Sequence, residues 1–89
     1  MNLDTRLNIP PQVMSRLVGD ETVLLDLESG IYFGLENVGQ RIWQCVSDGK
    51  SLAETIDVIV AEYDVDMAQA RKDVIDFEKT LVERGLLID

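Results

Sequence analysis

Asp26-Leu27-Glu28-Ser29-Gly30-Ile31-Tyr32-Phe33-Gly34-Leu35-Glu36-Asn37-Val38-Gly39-Gln40-Arg41-Ile42-Trp43 is the stretch whose reading decides the fold. Its first residues close one β-strand, and Glu28-Ser29-Gly30 suits a short hairpin loop with glycine where the backbone needs a positive φ. Ile31-Tyr32-Phe33-Gly34-Leu35 runs out again as a second arm. From Asn37 the period changes from two to between three and four: Val38, Ile42, Cys45 and Val46, with Trp43 beside them, form one helical stripe. Strand lies before this point and helix after it.

Towards the N-terminus, Thr22-Val23-Leu24-Leu25-Asp26-Leu27 is apolar and β-branched, with Val23, Leu25 and Leu27 on one face. Gly19-Asp20-Glu21 is a turn signal, and Val13 to Leu17 alternates loosely as an earlier strand. Pro10-Pro11 enforces an extended conformation. Residues 1–12 therefore read as an extended segment and 13–89 as the domain. Towards the C-terminus, Ser47-Asp48-Gly49 stops the first helix. Ser51 with Glu54 three places on is a capping box for a second helix, which buries Leu52, Ile56, Ile59 and Val60. Asp66 caps a third, Met67 to about Arg84, on which Ala70, Val74, Phe77 and Leu81 align and Ile75 and Val82 widen the apolar face. Gly85 ends it, and Leu86-Leu87-Ile88 returns as a short strand or packed tail. The expected class is α+β, a three-stranded antiparallel meander followed by three helices, in the element order of a winged helix-turn-helix.

Composition narrows the function. Seventeen acidic residues face eight basic ones, a net charge of −9, which opposes both a phosphate backbone and an anionic membrane surface. No apolar run approaches the roughly 20 residues of a membrane span, and the first residues lack a signal-peptide core. One cysteine, Cys45, forms no internal disulfide and points to a reducing, cytoplasmic setting. Protein or peptide partners are expected, with no nucleic acid and no membrane.

Catalytic readings have little to stand on. The chain has no histidine, so the commonest general base and metal ligand is missing. Cys45 lies on an apolar helix face without a base beside it, as a structural cysteine does. Asp73, Asp76 and Glu78 fit a solvated helix face, and no glycines form a phosphate cradle. Neither a cofactor nor a metal is expected. Lys50-Ser51-Leu52 offers the serine and leucine of an acyl-carrier attachment motif but lacks its aspartate, so Ser51 reads as a cap. As a recognition helix, Met67–Arg84 would set Arg71, Lys72, Lys79 and Arg84 against Asp73, Asp76, Glu78 and Glu83. That balance leaves a winged-helix transcription regulator as the rival of another class.

Gly30-Ile31-Tyr32-Phe33-Gly34-Leu35, then Gly39 and Ile42-Trp43, resembles the PqqD-like family, the precursor-peptide recognition domains of ribosomally made, post-translationally modified peptides. Ser51-Leu52, Tyr63-Asp64-Val65, Asp73-Val74 and Gly85-Leu86-Leu87 extend the likeness over about residues 13–88. The family places asparagine directly after the leucine; here Glu36 intervenes, and Asn37 follows as the candidate cap.

The resemblance implies a function without turnover. A precursor's leader would add as a strand to the third strand's free edge, in a groove walled by the third helix, with backbone hydrogen bonds giving affinity and alternate side chains specificity. Ile31, Tyr32, Phe33, Gly34 and Leu35 would supply the edge; Arg71, Val74, Ile75, Glu78 and Val82 would line the helix side. The segment has no proline and none of the lysines that usually blunt an edge, and Gly34 permits close backbone approach. The implied partners are the leader and a leader peptidase or other biosynthetic enzyme. The likeness is greater to the stand-alone leader-binding proteins of lasso-peptide pathways than to the chaperone that presents a precursor to a radical enzyme in pyrroloquinoline quinone biosynthesis.

Overall fold

The computed structural model describes residues 2–89. Strands β1 (Val13–Val18), β2 (Glu21–Asp26) and β3 (Ile31–Leu35) form an antiparallel sheet in the order β1-β2-β3. Helices α1 (Asn37–Ser47), α2 (Leu52–Glu62) and α3 (Met67–Glu83) follow, as the change of period indicates. The β2–β3 loop is one residue longer than the sequence suggests. The Asp26 carboxylate accepts from the Glu28 N–H at 2.9 Å and its carbonyl from the Gly30 N–H at 2.7 Å. This Asx turn ends the strand at Asp26 and leaves Leu27 exposed.

Only one face of the sheet is covered. Val13, Thr22, Leu24 and Leu35 are buried beneath the helices, Leu24 completely. Val23 and Leu25 do share a face, but it is the outer one, which they form with the exposed Met14, Val18 and Tyr32. Two clusters make the core. Leu24, Leu35, Trp43, Leu81, Leu86 and Leu87 belong to the sheet side, and Ile42, Leu52, Ile56, Ile59, Ala70 and Val74 to the helical side. Phe77 packs against both.

Helix ends follow their local chemistry. After α1, Gly49 (φ 80°) donates to the Val46 carbonyl and Lys50 to Cys45; after α3, Gly85 (φ 74°) donates to Val82 and Leu86 to Leu81. Both are Schellman closures around a left-handed glycine. At the start of α1 the cap position falls on Glu36, without a side-chain cap bond, and Asn37 takes φ 54°. Asn37 thus does not cap; it supplies the left-handed turn that asparagine tolerates better than most residues.

The N-terminal segment completes α2. The Leu52 N–H donates to the Thr5 carbonyl and the Ala53 N–H to Leu3, both at 2.9 Å. Glu54 N–H donates to Ser51 Oγ at 3.2 Å, and Ser51 N–H to the Glu54 carboxylate at 2.8 Å. With Thr55 N–H on the Ser51 carbonyl, every first-turn donor has a partner. Arg6 reaches the Gly49 carbonyl and the Glu54 carboxylate. Asn8 pairs with Ile88, so the extended start and the C-terminal tail close on each other.

Candidate functional site: an open strand edge beside α3

β3 pairs with β2 alone, so its other edge is open. The register shows which backbone groups it offers. Leu27 N–H donates to the Gln12 carbonyl at 2.8 Å, so the odd-numbered residues of β2 face β1 and the even ones face β3. Those even residues, Thr22, Leu24 and Asp26, lie opposite Leu35, Phe33 and Ile31. Ile31, Phe33 and Leu35 therefore turn their N–H and C=O groups inward. Tyr32 and Gly34 turn theirs outward, unpaired. Glu36 continues the pattern, still extended at φ −139°, ψ 163°.

A groove flanks this edge. Gly34, Leu35, Glu36, Val38, Gly39, Ile42, Asp73 and Phe77 line a cleft of about 400 Å³ between the end of β3, the start of α1 and α3. Gly39 makes it possible: a Cβ there would lie 3.1 Å from the Phe77 ring, so a side chain would push the ring towards the strand. Further along, the Arg84 guanidinium lies over the half-buried Phe33 ring, 5.5 Å from its centroid, within cation–π reach.

The strand residues expected at the site are thus together, in different roles. Tyr32 (68% exposed) and Gly34 present the edge, Phe33 is half-buried against the sheet-side core with Arg84 on its ring, Ile31 is exposed, and Leu35 is core. The helix residues are placed differently from the sequence reading. Val74 is fully buried, and Ile75 packs on the Ile42–Leu52–Ile56 cluster instead of standing at a rim. Arg71 opens towards α2, in a depression with Leu3, Asp57 and Met67. Val82 is partly exposed, at 38%, on the same side of the helix turn as Arg71 and Ile75. Leu81 meets β3 in the core, with Leu35; Asp73 and Phe77 line the cleft at its open edge and Arg84 rests on Phe33.

Glu78 is the physical reason for the difference. As a carboxylate it belongs at the surface by sequence, yet it is 2% exposed and its Oε2 has no hydrogen-bond partner among the described residues. Burial pushes its pKa up to about 7. Assigning it to a solvent-facing rim takes the flank of Arg71, Ile75 and Val82 for the groove side and leaves the opposite flank, Asp73 and Arg84, out of the site. The signal that fixes the phase is Gly39, since glycine inside an amphipathic helix marks close approach by a bulky neighbour.

Other chemistry is sparse. Cys45 is fully buried, and burial raises its thiol pKa, the reverse of a nucleophile's environment. Among the described residues no group of three or more His, Cys, Asp or Glu could hold a metal, and no helix is long and apolar enough to cross a membrane. On α3, Lys72 is tied to Asp76 at 3.0 Å, which thins the basic surface further.

A three-stranded sheet with an open third strand beside a third helix has the backbone groups needed to take an extended peptide as a fourth strand. The chain belongs to the PqqD family: residues 21–87 match the model described as Coenzyme PQQ synthesis protein D. Two solved structures are similar over nearly the whole chain. One is TbiB1 in complex with the TbiA(β) leader peptide, 44% identical, with a TM-score of 0.85 over 89% of this chain and 92% of that one. The other is lasso peptide synthetase B1 complexed with the leader peptide, 27% identical, with a TM-score of 0.89 over 96% of this chain and all of that one. No curated protein matches significantly.

Proposed function

We propose that this domain binds the leader region of a ribosomally made precursor peptide as an added strand on β3, without catalysing a reaction itself. It delivers the leader to a leader peptidase and modifying enzymes, in a lasso-peptide pathway. The observation that carries the reading is the open edge at Tyr32 and Gly34 beside the Asp73–Phe77–Arg84 wall. Strand addition needs those two parts: unpaired backbone groups for sequence-tolerant affinity and a lined groove for alternate side chains. That both similar structures hold leader peptides supports the same ligand class and favours the lasso setting over a radical-enzyme pathway. The missing histidine and the buried, raised-pKa thiol support a binding role.

Titration with the leader of the precursor encoded nearest the gene tests it. Amide exchange should slow at Tyr32 and Gly34 on saturation, while Phe33, already bonded to β2, changes little. Unaltered exchange at both residues in saturating peptide would remove the strand-addition reading. Cleavage or modification of that peptide by the purified chain alone would overturn the non-catalytic part.

A further inference from the structure

The two ends of the groove carry opposite charge. At the Leu35 end, Glu36 and Asp73 line the cleft, and on the sheet's outer face Glu21 Oε2 lies 3.7 Å from where a Cβ on Gly34 would sit. One step beyond the Thr22–Leu35 pair, the register sets Glu21 opposite Glu36, and like charges so placed repel. Neither glutamate has a basic partner among the described residues. Asp73 accepts a hydrogen bond only from the neutral Gln69 amide, at 2.8 Å. At the Phe33 end stands Arg84, resting on the ring with no carboxylate partner among the described residues. In a chain with seventeen acids and eight bases, an arginine left free beside an open edge is available to a ligand.

We propose that the groove reads charge as well as backbone, selecting an extended peptide with a basic side chain at the Leu35–Asp73 end and an acidic one at the Phe33–Arg84 end. Asp73 and Arg84 are the specificity-determining residues. The inference rests on the strand-addition reading above and names the ligand chemistry that reading leaves open. The strand sets the spacing: Asp73 shares the cleft with Gly34, Leu35 and Glu36 and Arg84 rests on Phe33, one to three residues away along β3. Side chains on the same face recur every second residue, so the acid and the base lie about two or four positions apart. Arginine's planar fork takes a carboxylate in two parallel hydrogen bonds, and a cation at the other end meets the cleft's two acidic residues, Glu36 and Asp73.

Selection from a randomised peptide library displayed against the immobilised full chain tests this. Enriched peptides should hold one acidic and one basic residue at that spacing, in a constant order. Selection against the Asp73→Lys, Arg84→Glu double variant should reverse the order. For an enriched peptide, Arg84→Glu should weaken binding by about tenfold, and replacing the peptide's acid with lysine should restore most of it. The exchanges made in the peptide carry the test even where a protein variant folds poorly. Enriched peptides that protect Tyr32 and Gly34 yet show no charge pattern, or the same pattern with both proteins, would overturn the inference and leave strand addition standing. A library yielding no peptide that protects those amides would remove both.

Discussion

Glu78 makes the stability of this domain depend on pH between about 5 and 8. Its carboxyl is buried without a partner for Oε2, and desolvation raises its pKa from 4.5 to about 7. The folded state therefore holds a proton between those values that the unfolded state has released. Stability from this group is complete below 4.5, falls as pH rises through 7, and is level above that. The whole interval corresponds to about 3 kcal/mol, each tenfold change in proton affinity being about 1.4 kcal/mol. Between pH 5 and 8 the loss is about 2.5 kcal/mol, on the order of 10 °C or more in thermal midpoint for a domain of this size. The chain has no histidine to titrate there. Glu54 and Glu62, whose pKa values are lowered by hydrogen bonds chiefly to Ser51 and to Arg41, act below the window, and the raised Cys45 thiol acts above it. Urea unfolding at pH 5, 6, 7 and 8 should show the decline in the parent protein and a nearly flat profile in Glu78→Gln. Glu78→Met, which removes the buried acid altogether, should be the more stable protein at pH 8. A parent profile that is flat or rises across this interval would refute the account of Glu78.

Tyr32→Pro and Gly34→Pro should abolish leader binding with the domain still folded, because each removes an outward amide; Phe33→Pro should instead lower stability by about 3 kcal/mol or more, since its amide faces β2. Circular dichroism melts beside calorimetric titration separate the two outcomes. Ile75→Glu should cost about 2 kcal/mol or more by placing a charge against the Ile42–Leu52–Ile56 cluster, and an unchanged melting midpoint would return Ile75 to the surface. Ser51→Ala removes a reciprocal cap and should cost about 1 kcal/mol in chemical unfolding.

The order of elements and the open third strand were legible because they depend on local signals. Alternation ends at Leu35, helical period starts at Asn37, and glycines stand at positions where the chain needs positive φ. The capping box at Ser51–Glu54 reads directly as two hydrogen bonds. The outer placement of Val23 and Leu25 was not legible, since both parities of β2 are apolar and only the position of the helices chooses between them. The core line Ala70–Val74–Phe77–Leu81 on α3 was legible, but not which of its flanks faces β3. Burying Glu78 opposes the polarity rule that fixes a helical face, so the wall of Asp73, Phe77 and Arg84 emerged only from the packing of Phe77 on Gly39. The closure of the N-terminal segment on α2 runs through backbone carbonyls of Leu3 and Thr5, which carry no signature of residue type.

The open edge of β3 is also a hazard, because two copies of the domain could pair along it as readily as one copy pairs with a peptide. No lysine or proline within β3 prevents this. What opposes it is the charge the chain carries everywhere else: two molecules of net charge −9 approaching edge to edge bring Glu21, Glu36 and Asp73 of each together. Such repulsion acts over roughly a Debye length, about 8 Å in physiological salt and about 3 Å in molar salt. Self-association should therefore grow with ionic strength, visible by sedimentation as a dimer that dissolves when leader peptide is added. The acidity that opposes a phosphate backbone thus also opposes edge-to-edge pairing of two copies.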